Sequence, residues 1–184
     1  MTDLESTDRD AAAVTSQLFE VNHIRIHAKR QFDDVRKMLE SILKRLTEKP
    51  AEAFGRCDVA AARKELERIG SPSGLSILYQ LDHGVALQLR GQDRQAIQYG
   101  IGNVLTATEM SQHHLGAALY APLRVLVYGV ADGTVIEFDQ PLTQFAVFGN
   151  KDIKEVGLRL DRQLMAVVRY VTGETDVEPR ADVV

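Results

Sequence analysis

The sequence predicts an α+β domain in which helices cover one face of a curved antiparallel sheet of five to six strands, and three observations carry that reading. Period-two hydrophobic patterns recur at 21–28, 75–81, 85–90, 95–101, 123–130 and 134–139. Period-3.6 patterns occupy 32–46, 58–69 and 150–172, grouped around the strands rather than alternating with them. An Asp-Gly pair at 132–133 separates two strand-like segments by a hairpin-length gap. This order implies two layers, with a long C-terminal helix and an N-terminal helix on one face of a meander.

In the first strand, VNHIRIHA at 21–28, Ile24 and Ile26 fall on one face and His23, Arg25 and His27 on the other. Phe32, Val35, Met38, Leu39, Ile42, Leu43 and Leu46 then form the inner stripe of a helix, with Asp33 and Asp34 in its first turn and Lys44 and Arg45 in its last. Those charges suit the helix dipole. Pro50 is read as ending any continuation, and a shorter helix is expected from Asp58 as N-cap to just before Gly70, with Val59, Ala62, Leu66 and Ile69 inward. Ser71 to Gly74 is a loop.

For the strands at 75–81 and 85–90, a three-residue turn at 82–84 with Gly84 left-handed gathers Leu75, Ile77, Tyr79 and Leu81 beside Val85, Leu87 and Leu89. The Asp132-Gly133 turn places Tyr128 opposite Glu137 and Val127 opposite Phe138. One face of that hairpin is Val125, Val127, Gly129, Ile136 and Phe138; the other is Arg124, Leu126, Tyr128, Val130, Glu137 and Asp139. The first is assigned to the core. Asn150 caps the last helix, Ile153, Val156, Leu160, Leu164, Val167, Val168 and Val171 form its inner stripe, and Gly173 stops it.

Composition narrows the function classes. The 184 residues carry 22 Lys+Arg, 26 Asp+Glu, 45% apolar residues and one cysteine. No apolar run approaches the about 18–20 residues that span a bilayer, so no membrane partner and a cytoplasmic address are expected. Cys57 is alone, closes no intramolecular disulfide, and is read as a buried or half-buried filler. Residues 1–20 carry a net −4 and residues 174–184 a net −3, leaving +3 on the centre. That is too little for a nucleic-acid footprint, and the aromatic side chains form no stacking ladder. The domain is expected over 18–173, with a disordered acidic arm at 1–17 and a disordered acidic tail at 174–184.

The stretch from Tyr99 to Asp139, YGIGNVLTATEMSQHHLGAALYAPLRVLVYGVADGTVIEFD, resembles the family described as domain of unknown function 302. The matching features are Gly102-Asn103 after a strand, Met110 near a short helix, Ala121-Pro122, the strand Leu123 to Tyr128, and Asp132-Gly133. The segment HIRIHAKRQFDDV resembles the family's opening strand and helix, so the likeness runs roughly over 22–172. Val104 stands where Pro is common, and the helix at 58–69 is an insertion. The resemblance implies a TATA-binding-protein-like fold, a curved sheet gripping a C-terminal helix; nucleic-acid binding does not travel with a fold.

Candidate chemistry is sparse. The sequence has no GxSxG elbow, P-loop, GxGxxG or HExxH, so no cofactor is expected. His113 and His114 are adjacent and project about 100° apart on a helix, so no metal site is assigned to them; they are read as surface histidines ending a short helix. His23 and His27 lie about 13 Å apart along a strand, too far for one ion. Glu137 and Asp139, near Arg124 and Tyr128, are a general-base candidate or an exposed cross-strand pair. The irregular 103–122 segment is where function is expected to reside, with Asn103, Met110, His113, His114, Tyr120 and Arg124 as candidate ligand-binding residues. A non-enzymatic module is favoured, binding a small hydrophobic or anionic ligand or forming a homodimer through the face carrying Leu78, Leu126, Tyr128 and Val130. The alternative is an enzyme or metal-dependent activity at 103–122 using His113, His114 and Arg124 as anion clamp.

Overall fold

The computed structural model describes residues 13–70 and 72–181. In chain order it contains β1 (His23–Ala28), α1 (Phe32–Ile42), α2 (Lys49–Gly55), α3 (Val59–Gly70), β2 (Ser76–Asp82), α4 (His83–Leu87) and β3 (Ala96–Gly102). There follow α5 (Val104–Ser111), β4 (Leu123–Val130), β5 (Gly133–Asp139), α6 (Pro141–Phe145) and α7 (Lys151–Thr172), with short 3-10 turns at Gln88–Arg90, Leu115–Tyr120 and Ala146–Phe148. The five strands form one antiparallel sheet in the order β1-β5-β4-β3-β2. The protein is α+β, with α7 and α1 on one face.

The core follows from the two periodicities meeting. Val127 and Phe138, at 0% and 4% exposure, point at the helical layer. Ile97, Tyr99 and Ile101 continue that face on β3, and Val125 and Ile136 on β4 and β5. The α7 stripe from Ile153 to Val171 is buried against them, as its spacing predicts. The Asn150 carboxamide oxygen accepts from the amides of Asp152 and Ile153, and Gly173 takes a left-handed φ of 84°. Arg30 donates to the Tyr170 and Val171 carbonyls, closing the same end of α7.

Several expectations are corrected. Residues 85–90 form no strand: the Asp82 carboxylate accepts from the Val85 amide at 3.0 Å, turning the chain into α4 and the following 3-10 turn. The left-handed glycine there is Gly91, not Gly84, and β2 pairs with β3 instead. A bulge between Ile77 and Tyr79 reverses the faces of β2, so Leu75 and Ile77 are buried while Tyr79 and Leu81 are exposed. The β4–β5 hairpin is offset by two residues: Val130 faces Gly133, Tyr128 faces Val135 and Val125 faces Phe138. A two-residue slip preserves faces, so the core assignment survives while the cross-strand partners change. Gly133 sits at φ 147° against the Ala28 carbonyl, where a Cβ would collide, so it opens β5 instead of finishing the turn.

The first helix stops at Ile42, and Lys44 and Arg45 leave it because the Ile77 amide donates to the Lys44 carbonyl and the Leu46 amide to the Ile77 carbonyl. Pro50 begins α2 rather than ending a helix, since proline is tolerated in a first turn. Asp58 caps α3 through the Ala61 amide as expected, but Val59 is exposed. Cys57 is exposed, with a φ of 58°, rather than buried. Pro141 starts the unpredicted α6. The proposed arm lies largely outside the described residues; 13–22 carry neither helix nor strand. Residues 174–181 likewise lack both, yet Pro179 is buried and the Ala181 amide donates to the Pro72 carbonyl at 2.8 Å. No described helix is long and apolar enough to cross a membrane.

Candidate functional site

Asn103 organises the 103–122 segment. Its side-chain oxygen accepts from the Leu105 amide at 2.9 Å and the Thr106 amide at 3.4 Å, while its Nδ2 donates to the Gly74 carbonyl at 2.9 Å. The helix so started, α5, places Thr106 and Met110 one turn apart on its buried face. Beneath them lies a cavity of about 110 Å³ walled by Ile101, Met110, Pro122, Phe145 and Leu160, with Leu78 from the bulge of β2. Thr106 lines this space at 8% exposure. Among the described residues the buried side-chain atom that lacks a partner is Gln163 Oε1, not the Thr106 hydroxyl. The space is an apolar pocket, open to solvent on one side, with Thr106 in its wall.

The six sequence-predicted residues divide among three places. Asn103 and Met110 belong to the cavity. Tyr120 and Arg124 line a separate outer groove of about 300 Å³ with Tyr79, Leu119 and Gln144. Tyr120 also packs edge-on against Phe19, Phe145 and Phe148. His113 and His114 serve local structure: His113 Nε2 lies 3.7 Å from Asp152 at the start of α7, and His114 Nδ1 accepts from the Gly116 amide at 3.1 Å with its ring on Phe148. The two rings take different partners, but neither residue is in a helix as expected: α5 ends at Ser111, and His114 caps the 3-10 turn Leu115–Tyr120. Among the described residues, no three His, Cys, Asp or Glu side chains come together to hold a metal ion.

The outer face of the sheet carries a charged ladder. Glu137 accepts from the Tyr128 hydroxyl and from Arg25 Nε, both at 2.6 Å, and lies 3.2 Å from His23 Nε2. His23 Nδ1 reaches Asp139 at 2.8 Å, and His27 reaches Asp132 at 3.1 Å. The Tyr128 hydroxyl holds the Glu137 carboxyl below its ordinary range, against the opposing effect of burial and with help from Arg25 and His23. Hydrogen bonds to Asp139 and then Glu137 raise the His23 value. A carboxylate so fully occupied is a poor general base. Of the two residues expected near Glu137, Tyr128 bonds it, while Arg124 stands apart with no ion pair among the described residues.

Thr106 and Leu78 are the site residues sequence reasoning missed. Leu78 sits on the cavity wall because of the bulge, which no residue pattern announced. The His23, Arg25, His27 alternation and the Glu137, Asp139 alternation carried the signal for the ladder, since opposite charges at period two match across paired strands.

A family model described as "Domain of unknown function DUF302" matches residues 54–171, beginning after the β1 and α1 segment. The crystal structure of an uncharacterized conserved DUF302 protein from Bacillus stearothermophilus is similar, with a TM-score of 0.56 at 17% identity, covering 79% of this chain and 94% of that one. No curated protein matches this chain.

Proposed function

From the premise that this chain belongs to the DUF302 family, we propose that it is a non-enzymatic module binding a small, largely apolar ligand in the cavity under α5. The observation that supports this reading is the apolar pocket of about 110 Å³ with Thr106 in its wall. The Thr106 side chain offers a ligand one hydrogen-bonding group in an otherwise apolar lining. An apolar cavity of about 150 Å³ stays dry and takes benzene or xenon, so this one suits about four non-hydrogen atoms. At a ceiling of about −1.5 kcal/mol per atom, such a ligand binds no tighter than about tens of micromolar. A short ketone or alcohol fits both the volume and the hydroxyl.

Titration with acetone or isopropanol, followed on the Met110 methyl resonance, tests the reading. A saturable shift, abolished in Ala107→Leu, which enlarges a side chain of the cavity lining, supports it. A Met110 signal unmoved by both probes, or moved equally in the filled variant, contradicts it.

Self-association is a second reading. Leu126, Tyr128 and Val130 are half-buried on a face that α1 and α7 leave uncovered. Leu78 has left that face for the cavity, and the His23–Glu137 ladder charges the rest of it, so the apolar area offered to a second copy is smaller than the sequence implied. Sedimentation at micromolar concentration reads this directly: a dimer sustains it and a monomer removes it.

A further inference from the structure

The groove at Arg124 is built on a glycine. Gly100 pairs with Tyr79 on one side and Arg124 on the other, and a Cβ at position 100 would collide with the Tyr79 ring. The bulge in β2 turns Tyr79 onto this outer face, and the missing side chain lets its ring lie on the sheet beside Arg124. Tyr120 and Gln144 are further walls of the same groove, with Leu119 and Pro122 supplying apolar surface. Gln144 is only 7% exposed, and its Nε2 makes a single long contact of 3.4 Å to Asp139. Asp139 follows Phe138, whose partner is Val125, so it is the carboxylate nearest Arg124 along the ladder. His23 occupies it at 2.8 Å, leaving Arg124 without an ion pair among the described residues.

We propose that this groove binds a small monocarboxylate with a flat or short apolar body. The Arg124 guanidinium takes the carboxylate through paired N–H donors, a geometry that planar groups share. The Tyr79 and Tyr120 rings flank the body of the ligand, and the Gln144 carboxamide is within the same walls to supply a further polar contact. One guanidinium matches one negative charge. A phosphate dianion would leave excess charge beside Asp139 and Glu137, and so is disfavoured. The groove shares Ala121 and Pro122 with the cavity, but Tyr79, Leu119, Tyr120, Arg124 and Gln144 line the groove alone, so the inference stands apart from the apolar-ligand reading.

Benzoate titration by NMR, with inorganic phosphate as the competing probe, tests the site. Saturable benzoate binding that weakens at least tenfold in Arg124→Gln, weakens in Gly100→Ala, and persists in Ala107→Leu is the expected result. Arg124 is exposed, so thermal melting of Arg124→Gln should match that of the parent protein and separate lost binding from lost folding. Binding unchanged in Arg124→Gln, absence of saturable benzoate binding, or phosphate binding as tightly as benzoate would each overturn the proposal. Loss of acetone binding with benzoate binding retained removes the cavity reading alone.

Discussion

The two faces of the sheet are held by opposite means. On the inner face, Tyr99, Val125, Val127, Ile136 and Phe138 are buried against α7 and α1, and each such apolar side chain contributes about 1.5–3 kcal/mol by leaving water. On the outer face, His23, Arg25, Tyr128, Glu137 and Asp139 interlock through hydrogen bonds and ion pairs that water still reaches. Such exposed pairs are worth about 0–1 kcal/mol each. Stability is therefore concentrated on one side, and the other is free to carry polar groups placed for recognition, Arg124 among them.

Breaking the inner face gives the largest effect. Leu164, 1% exposed in the middle of α7, should lose about 2–5 kcal/mol as Leu164→Ala, read as a fall in denaturation midpoint. A change below about 1 kcal/mol would mean that α7 does not seal the core. At the seam between the faces, Gly133→Ala forces a methyl toward the Ala28 carbonyl at a φ of 147° and should cost about 1–3 kcal/mol. A neutral result would return Gly133 to the turn and restore the register that the sequence suggested.

Much of the inner face was legible because helix and strand periods converge there. The stripe from Ile153 to Val171, its Asn150 cap and its Gly173 stop announce α7 without ambiguity. The β4–β5 hairpin was legible in its faces but not in its pairing, because a two-residue slip leaves every apolar side chain on the same side. The segment 82–90 misled for the opposite reason. Leu87 and Leu89 alternate as a strand would, but Asp82 is better placed as a helix cap, and Leu89 ends exposed. Of the site, Asn103 and Met110 were readable from the turn and the helix after it, whereas Thr106 has nothing in its sequence neighbourhood to mark it as a cavity wall. The gathering of Tyr79 beside Arg124 depends on a bulge and on Gly100, two residues before the Gly102-Asn103 turn, whose cross-strand neighbours no residue pattern announces.

Smaller effects sharpen the contrast. Asn150→Ala removes acceptors from two amides at the start of α7 and should cost about 1 kcal/mol in thermal melting. An unaltered melt would show that the cap is dispensable to a helix so thoroughly buried. The outer ladder should register mainly as pH dependence. His23 is raised above its ordinary value of 6.5 by Asp139 and Glu137, so its contribution is complete below 6.5 and is lost as pH rises through the folded value. Glu137 is lowered from 4.5, so its contribution is present above 4.5 and is lost as pH falls through its folded value. His23→Ala should flatten the alkaline-side decline by about a few tenths of a kcal/mol, as expected for exposed pairs. An unchanged pH profile would detach His23 from the two carboxylates.

A crystal structure determined under xenon pressure is the most direct test of the apolar cavity under α5. Xenon density between Ile101, Met110 and Leu160 is expected, with the surrounding side chains in place. A chamber closed by Phe145 or Met110, with no xenon between α5 and β3, would contradict the existence of a binding cavity there.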